Sequence, residues 1–558
     1  MKARMMNEQD SIEADYIVVG AGSAGCVLAN RLSAAPGNTV VVLEAGGDDR
    51  MLREPGQLIS NYLMKVPAGF AYLLTDRKII WDYAAQSMES LNGRTLNYPR
   101  GKVLGGCSSI NGMMYMRGLE SDYRGWQQLG CTGWGWDDVL PMFRRMEDVE
   151  GRLSSAQGTG GPLRVSDYPG HWTMDRLLAA CTEAGIASVE NVNGVVQDGI
   201  AYSQRTTRNG RRESAATAFL HPVEHRRNLK IITRALVHRI VFDGRRAVGV
   251  EYETGNRRIT VRARKDIILS AGAINTPQIL ELSGIGSGAR LNAMGIDTLV
   301  DSPGVGENLS DHYSVGLRAR LVPGTPSYNQ QMKGLNQLGQ IARYLFTGQG
   351  VLAQSIGALV GYFRSDPAFD MPDVQFMSMP ASMDFVKTTQ TGRTALDTEP
   401  GITLSGYQTH PRSRGSTHIT SPSARAAPQI QLNYLTDPAD RIGAVNILRT
   451  CRRILRQPSI APLVDHELAP SGDIPDTDFD GLLNHARNSG VTTYHPVSTC
   501  RMGPDEASVT DLELRVRGVE GLRIADASIM PTIVSANTNA ACMMIGEMAS
   551  TLILKAAR

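Results

Sequence analysis

The 558-residue sequence contains no run of 18 or more apolar residues, and this absence argues against a membrane-spanning helix. Its seven cysteines are an odd number, lie far apart and include no C-x-x-C pair, so they form neither a disulfide framework nor a zinc-ligand pattern. We therefore expect no metal site, and reduced thiols as in a cytoplasmic protein. The first fourteen residues also lack the apolar segment that a secretory signal requires.

A strong excess of charge of either sign is missing as well. The net charge is +2 and the arginine pairs are scattered along the chain, which gives no reason to expect a nucleic-acid partner. Hydrophobic residues make up 42% and charged residues 20% of the chain, and this balance is typical of a globular protein. Because the length exceeds what one hydrophobic core usually supports, we predict two domains.

The clearest local pattern lies near the start of the chain. A short apolar run at 16–19 precedes a G-x-G-x-x-G turn at 20–25, a helical stretch at 26–32 and a β-branched run at 39–43. This order predicts a βαβ unit that opens a doubly wound parallel sheet. The predicted fold class is α/β, with a Rossmann-type nucleotide-binding domain.

The glycine-rich turn has the composition of a pyrophosphate site. Its glycines permit a tight turn, close approach of a ligand to the backbone and close helix–strand packing. The helix that follows presents free N–H groups and the positive end of its dipole to the phosphates. Glu44 follows the second strand, where a carboxylate can accept hydrogen bonds from ribose hydroxyls. The predicted dinucleotide contacts are Gly20, Gly22, Ser23, Ala24, Gly25 and Glu44. This pattern alone leaves both NAD and FAD open.

Three further segments narrow the choice of cofactor. They are a glycine- and serine-rich loop at 100–112, the stretch 272–286, and the C-terminal series 494–503, 522–531 and 536–540. Together with the glycine turn they resemble the glucose–methanol–choline (GMC) oxidoreductase family, in family order from about residue 15 to the C-terminus. The resemblance is weakest between about 313 and 480. It implies an FAD-dependent enzyme that oxidises a small-molecule alcohol by passing hydride to the flavin.

The resemblance also implies which residues contact FAD. They are Val103, Gly105, Gly106, Asn111, Gly112 and Met113 along the flavin, Val237 at the adenine, Asp526 and Ala527 beside the ribityl–pyrophosphate portion, and Asn537 and Thr538 at the pyrimidine end. Ile110 stands where some members carry a histidine that binds FAD covalently, so we expect non-covalent FAD. Ser498 and Ala536 stand where many members carry glycine, and there we expect local packing changes.

Alcohol oxidation requires a base for the hydroxyl proton. His495 is the predicted base, because a histidine titrates near neutral pH and the family's catalytic histidine lies in the matching segment. Pro496 biases the backbone of His495 towards an extended conformation. Asn537 is the predicted partner that bonds the substrate oxygen. It also stands where it can cap a helix over 540–554, and the two roles are compatible.

Other candidates are given structural roles at this point. His312, His410 and His466 are interpreted as ordinary structural histidines, although the pair Asp311-His312 is compatible with a position near the site. The methionine-rich stretch Met371–Met383 is interpreted as adaptable core rather than as a cofactor-binding segment, and a position in the wall of the substrate pocket is the alternative.

The predicted organisation is a discontinuous one. Residues 14–165, 200–312 and 492–558 form the FAD-binding domain, and residues 166–199 and 313–491 form an α+β substrate-binding domain. The electron acceptor (a quinone, a dye-like molecule or O₂) and the oligomeric state stay open. The alternatives to an alcohol dehydrogenase are an oxidase of the same fold, a flavoprotein with other chemistry, and a flavin-binding protein without turnover.

Overall fold

A computed structural model describes residues 12–383 and 395–557 of the chain. The segment considered as a secretory signal therefore lies almost entirely outside the described residues. The strands of the two large sheets are Ile12–Val19 (β1), Val40–Leu43 (β2), Leu229–Ile232 (β3), Leu236–Asp243 (β4), Arg246–Thr254 (β5), Arg257–Leu269 (β6), Tyr313–Leu321 (β7), Leu359–Phe363 (β8), Val374–Met379 (β9), Gly401–Gln408 (β10), Val464–Glu467 (β11), Val491–Thr492 (β12) and Leu522–Ile524 (β13).

The α-helices of the described residues separate and cover these strands. They are Ser23–Leu32 (α1), Leu58–Lys65 (α2), Phe70–Leu73 (α3), Glu120–Gln128 (α4), Trp136–Met146 (α5), Trp172–Glu183 (α6), Gly272–Leu282 (α7), Gly288–Ala293 (α8), Tyr328–Gln331 (α9), Gly334–Thr347 (α10), Pro438–Leu455 (α11), Phe479–Ser489 (α12) and Thr538–Ala556 (α13). None of them is both long and apolar enough to cross a lipid bilayer.

Shorter strands form smaller sheets between these elements. They are Ile80–Trp81, Arg100–Gly101, Glu147–Glu150, Leu163–Asp167, Gly199–Tyr202, Gln204–Arg205, Thr207–Arg208, Arg211–Arg212, Ile285–Gly286, Val300–Asp301, Ser416–His418 and Gln429–Gln431.

The first large sheet contains the predicted βαβ unit. Its parallel strands run in the order β3-β2-β1-β6-β13. The first half of the long strand β6 also pairs antiparallel with β5, and β5 pairs antiparallel with β4. Strands β1 and β2 are almost continuously apolar, as expected for strands buried on both faces.

The carboxyl ends of the parallel strands meet at one edge of this sheet. Val19 pairs with Leu43 on one side and with Leu269 on the other, and Leu269 pairs in turn with Ile524. The residues that follow these four strands therefore converge, although they are up to 500 positions apart in sequence. In doubly wound sheets this edge is where ligands bind.

The second large sheet is antiparallel and runs in the order β8-β9-β10-β7-β11, with β12 paired to the first residues of β7. Helices α11 and α12 pack against it, and both begin at an aspartate whose side chain accepts a backbone N–H of the first turn. The α/β class with a Rossmann-type sheet and a second α+β unit is thus confirmed.

Each large sheet has its own hydrophobic core. The first core joins β1, β2 and β6 to α1, α5 and α13, and the second joins β7–β10 to α6, α11 and α12. Arg31 of α1 contacts Glu547 of α13 at 2.6 Å, so the beginning and the end of the chain are tied together. Residues 83–98, which the predicted boundaries assign to the FAD-binding domain, pack into the second core. The boundaries themselves stay a prediction.

Candidate active site

One cavity of about 740 Å³ extends from the edge of the parallel sheet to the face of the second sheet. The sequence-predicted residues that line it are Gly20, Gly22, Ser23, Ala24, Glu44, Gly106, Asn111, Gly112, Met113, Val237, His495, Asp526, Ala527, Asn537 and Thr538. Gly25, Val103 and Gly105 lie behind this wall. Val103 is fully buried beside Gly47, and the Gly105 N–H donates to the Ala21 carbonyl.

Two positions of the first turn require glycine for different physical reasons. A Cβ at Gly25 would lie 1.9 Å from the carbonyl oxygen of Gly20, so this position serves helix–strand packing. A Cβ at Gly22 would lie no closer than 3.8 Å to another protein atom. Since Gly22 begins α1 and lines the cavity, the protein itself gives no steric reason for a glycine there, and a ligand that approaches the backbone gives one.

Glu44 holds two backbone segments at the nucleotide end of the cavity. Its carboxylate accepts hydrogen bonds from the N–H groups of Ala21 and Gly46, at 2.9 and 2.8 Å. Burial raises the pKa of Glu44 to about 7, while the two backbone N–H groups act in the opposite direction. Each carboxylate oxygen has further lone-pair capacity on the cavity side, as a ribose contact requires.

The glycine-rich loop is fixed by its own side chains. Asn111 accepts hydrogen bonds from the Met113 N–H at 3.0 Å and from Arg212 at 2.8 Å, and Arg212 also donates to the Ser108 carbonyl. Burial lowers the pKa of Arg212 to about 9. Ile110 is buried at this point, and it brings no nucleophile to the cavity it lines.

The side chain of Asp526 fixes the turn at the end of β13 by hydrogen bonds. Its carboxylate accepts hydrogen bonds from the Gly272 N–H and the Thr276 hydroxyl on α7, and from the N–H and hydroxyl of Ser528. The turn beside the cavity is therefore rigid, and it joins two strand ends of the parallel sheet.

His495 and Asn537 meet inside the cavity. The Nδ2 of Asn537 lies 3.1 Å from the Nε2 of His495. On the other side of the imidazole, Nδ1 lies 3.1 Å from the Nδ1 of His312 and 2.9 Å from the hydroxyl of Thr493. The Nε2 of His312 lies 3.0 Å from the carbonyl oxygen of Thr409.

These contacts fix the tautomers of both histidines. A carbonyl oxygen only accepts, so the Nε2 of His312 must carry the proton and its Nδ1 must be the acceptor. The Thr493 hydroxyl donates to the His312 carbonyl, at 3.1 Å, and is likewise an acceptor towards His495. The proton of neutral His495 therefore lies on Nδ1, and the lone pair of Nε2, at the cavity wall, accepts the Asn537 Nδ2–H.

Burial keeps this histidine pair neutral. It lowers the pKa of His312 to about 3 and that of His495 well below its ordinary value, and His312 and Arg100 add to the second shift. His312 was interpreted from sequence as structural, and the contact with His495 corrects this. The neighbouring Asp311 gave the one sequence hint; nothing in the sequence distinguishes Thr409, which acts through its backbone.

The carboxylate of Asp311 joins several groups next to His312 and His495. One carboxylate oxygen accepts a hydrogen bond from the backbone N–H of His495 at 2.7 Å. The other oxygen accepts hydrogen bonds from the hydroxyls of Tyr98, Tyr434 and Thr492. Burial raises the pKa of Asp311, and the hydrogen bonds oppose this effect by favouring the carboxylate.

Asn537 stands at the N-cap of α13, but its side chain makes no capping hydrogen bond. Its Oδ1 is buried and, among the described residues, has no hydrogen-bond partner. The capping role expected for this side chain is therefore wrong. The orphaned oxygen at a cavity-lining position is an acceptor site for a bound molecule.

The backbone around His495 is held in an uncommon conformation. Tyr494 has φ +62° and Ser498 has φ +73°, in the left-handed region that favours glycine. This explains why glycine suits the second position, where Ser498 is buried and its hydroxyl has no partner among the described residues. Such strain persists only where the surroundings enforce it, and it is common at functional sites.

The far wall of the cavity comes from the second sheet. Met377, Met379 and Met383 line it together with Thr403 and Ser405. The interpretation of the methionine-rich stretch as core is therefore wrong for these three residues. Met377 and Met379 project into the cavity because alternate residues of β9 face the same side of the sheet, and Met383 reaches it from the chain after β9.

Family comparison accounts for this arrangement. A family model described as GMC oxidoreductase matches residues 14–314, and its C-terminal counterpart matches residues 411–546. The chain belongs to the GMC oxidoreductase family. This family comprises FAD-dependent enzymes that act on CH–OH groups, and the chain is an oxidoreductase of this type.

Individual relatives of this GMC oxidoreductase are similar over almost their whole length. An alcohol dehydrogenase [acceptor] of Pseudomonas putida is 39% identical over 549 residues, which cover 97% of this chain and 96% of the relative. An oxygen-dependent choline dehydrogenase of Rhizobium meliloti is 36% identical, with coverage of 97% and 96%. An FAD-dependent oxidoreductase structure from Chaetomium thermophilum has a TM-score of 0.86 at 27% identity, with coverage of 98% of this chain and all of that one.

Replacement of Glu44 by Gln in this GMC oxidoreductase should separate folding from binding. Because the pKa of Glu44 is raised from 4.5 to about 7, the folded apoprotein holds a proton between these pH values that the unfolded chain has lost. This group therefore lowers the free energy of unfolding as the pH rises through that window, by about 3 kcal/mol in total. The Gln variant lacks this decline, so the free energy of unfolding of its apoprotein should vary less between pH 4.5 and 7. It should be lower overall at low pH, because the amide NH₂ cannot accept the second backbone N–H.

The same variant should bind FAD about tenfold to a hundredfold more weakly, because it loses a charge-assisted hydrogen bond of roughly 1.5–3 kcal/mol. Urea unfolding across pH and fluorimetric FAD titration measure the two effects. An unchanged FAD dissociation constant would remove Glu44 from the nucleotide site.

Proposed function

We propose that this GMC oxidoreductase oxidises an uncharged primary alcohol to the carbonyl compound, with His495 as the base and Asn537 as its partner. The observation that carries the proposal is the lone pair of His495 Nε2, which lies at the cavity wall beside the amide of Asn537. When bound, FAD supplies the hydride acceptor.

The residues of the cavity fit FAD in three places. The space beside Gly22 suits a pyrophosphate at the N-terminus of α1, and Glu44 offers free lone pairs for ribose hydroxyls. The buried, unpartnered Oδ1 of Asn537 suits a donor at the other end. Ile110 supplies no nucleophile, which supports non-covalent binding.

The described residues include an acceptor for the hydroxyl proton of the alcohol. The alcohol donates its hydroxyl proton to His495 Nε2, and the Asn537 amide donates to the alcohol oxygen as negative charge develops there. Since burial lowers the pKa of His495, its base form persists well below neutral pH. Uptake of this proton produces a buried imidazolium, which His495 must release again because burial disfavours its charged form.

The charge of the cavity favours an uncharged substrate over choline. Within the described residues, the acidic side chains that line the cavity are Glu44 and Asp526, both at the nucleotide end and both engaged with backbone N–H groups. The far wall presents Arg318 together with methionines and hydroxyls. A quaternary ammonium group would lose water there without gaining a carboxylate.

Two further points concern the cellular location of the protein and its electron acceptor. All seven cysteines are free thiols, which supports a cytoplasmic location. The electron acceptor is best assigned by comparing turnover with O₂, a quinone and a dye.

Substitutions at His495 and Asn537 test the mechanism. His495→Ala should retain FAD but reduce the flavin roughly 10²–10⁴ times more slowly, the usual worth of a general base. Asn537→Asp should also be slow, because a carboxylate beside Nε2 raises the pKa of His495 and protonates the base. In native protein the rate should rise with pH through a value below that of a free imidazole.

Stopped-flow flavin reduction and thermal unfolding are the measurements. Because the Asn537 side chain makes no capping bond, both Asn537→Ala and Asn537→Asp should unfold near the native temperature. If the His495→Ala enzyme reduced its flavin at the native rate, His495 could not be the general base.

His312 offers a test of tautomer control. His312→Leu removes one of the two acceptors for His495 Nδ1–H and leaves the Thr493 hydroxyl as the other. It should slow flavin reduction about two- to tenfold, the contribution of one hydrogen bond. His312→Asn places a side-chain oxygen near the position of Nδ1 and should recover most of the rate. Both variants leave the Thr409 carbonyl unpaired, so they are matched in stability.

The pH profile of flavin reduction distinguishes positioning from a purely structural role. Only the Leu variant should shift the profile, since there the one remaining partner of His495 Nδ1 is the Thr493 hydroxyl, which can accept or donate and so permits either tautomer. Equal rates and equal profiles in the two variants would contradict this role for His312.

A substrate panel tests the preference for uncharged alcohols. We expect kcat/KM for an uncharged primary alcohol to exceed that for choline by about tenfold or more, since burying an unpaired cation costs at least ~1–3 kcal/mol. The assay compares choline with 3,3-dimethylbutan-1-ol, which has the same shape without the charge. Choline turnover equal to that of its uncharged analogue would refute the preference.

A further inference from the structure

Helix α10 is oriented with its apolar side towards solvent. Leu335, Leu338, Leu345 and Phe346 are 83%, 62%, 60% and 88% exposed. At 100° per residue they lie on the side opposite Tyr344, which is buried against the protein. Surface helices usually present the reverse arrangement, with the apolar stripe towards the core.

Helix α2 shows the same inversion. It exposes Leu58, Ile59 and Tyr62, whereas it buries Ser60 and Asn61 together with a single apolar residue, Met64. The buried pair is satisfied by hydrogen bonds, since the Ser60 hydroxyl donates to Asp76 and the Asn61 amide donates to the Asp48 carbonyl at 3.1 Å. Its polar side is thus built into the fold, and its apolar side is left to solvent.

The two helices are neighbours. The Tyr344 ring of α10 packs in a cluster with Val66, directly after α2, and with Ala353. Its hydroxyl lies 3.5 Å from the Lys65 carbonyl and 3.3 Å from the Gly210 carbonyl. We call the exposed side chains of the two helices the apolar platform: Leu58, Ile59, Tyr62, Leu335, Leu338 and Phe346.

The chain segments that carry the apolar platform have charges of one sign, and the nearest carboxylates shown are engaged, Asp76 with Ser60 and Glu399 with Lys333. Residues 55–72 and 333–350 contain no Asp or Glu. Lys65, Arg211 and Arg343 are exposed there, and the part of the chain that the structure describes offers them no ion pair. A large apolar patch with a cationic border is the surface that an anionic bilayer recognises.

We propose that the apolar platform docks on the surface of a bilayer that contains anionic phospholipids. The leucines, the isoleucine and the aromatic rings enter the boundary between headgroups and acyl chains, and the three cations contact lipid phosphates. The helices lie on the membrane and do not cross it, in agreement with their length and composition.

A second copy of the chain fits this surface less well. A twofold contact through the apolar platform would place Lys65, Arg211 and Arg343 near the same residues of the other copy, with no carboxylate in these segments to pair with them.

Docking in this way has a consequence for access to the cavity. Helix α3 follows α2 directly and packs against it, and Phe70 and Leu74 of this segment line the cavity. A membrane-dissolved alcohol or acceptor would then meet the protein next to the site; this consequence, unlike the docking itself, rests on the proposed function.

Co-sedimentation of the holoenzyme with vesicles tests the proposal. The native protein should bind vesicles of equal parts phosphatidylglycerol and phosphatidylcholine, bind phosphatidylcholine alone more weakly, and be released by salt. Leu338→Gln with Phe346→Gln should lower the partition coefficient on both vesicles by about tenfold or more per residue. Lys65→Gln with Arg343→Gln should lower it only on the anionic vesicles, by about fivefold per charge.

The matched control replaces exposed leucines elsewhere, with Leu129→Gln and Leu153→Gln, which are 56% and 49% exposed in the native chain. This control should bind vesicles as the native protein does, and all variants should keep bound FAD. Absence of native binding at low salt, or equal loss in the control, would overturn the proposal. So would a native dimer that the Leu338→Gln/Phe346→Gln protein converts to monomer without any vesicle binding, since the apolar platform would then be a subunit interface.

Discussion

The hydrogen bond from His312 to the carbonyl oxygen of Thr409 sets the direction of the hydrogen bonds that join His312, His495 and Asn537. A backbone carbonyl has no proton to give, so the histidine must donate with Nε2 and accept with Nδ1. The neighbouring imidazole of His495 then has its proton on the inner nitrogen and its lone pair towards Asn537 at the cavity wall. The tautomer of the proposed base is thus set by two groups that do not line the cavity.

This chain of contacts depends on both sheets. Thr409 follows the last residue of β10, His312 precedes β7, and His495 follows β12, whereas Asn537 stands at the start of α13 against the parallel sheet. Asp311 anchors the assembly, since its carboxylate holds the His495 backbone and three hydroxyls in the interior. A shift of one sheet relative to the other would break the contact between His495 and Asn537, so the packing of the two cores and the geometry of the site are one constraint.

The nucleotide end of the cavity shows that residues suited to binding can cost stability. Glu44 is buried, and its raised pKa reports the free energy needed to keep the carboxylate charged at neutral pH. Gly22 leaves space that the protein does not fill, and Ser498 holds a strained backbone conformation. The apolar platform follows the same logic, because helices that bury serine and asparagine and expose leucine and phenylalanine forgo hydrophobic stabilisation.

The sequence by itself determined the parallel sheet, the glycine turn, Glu44 and the pairing of His495 with Asn537, because each depends on a local pattern or on residues that stand in family order. The tertiary structure alone decided the remainder. The tautomer of His495 depends on His312, about 180 positions away, and on a backbone carbonyl that no side chain marks. The free oxygen of Asn537, the methionines in the cavity wall and the outward apolar sides of α2 and α10 depend on which face of an element meets the core. Periodicity identifies such faces, but only packing determines which of them is buried.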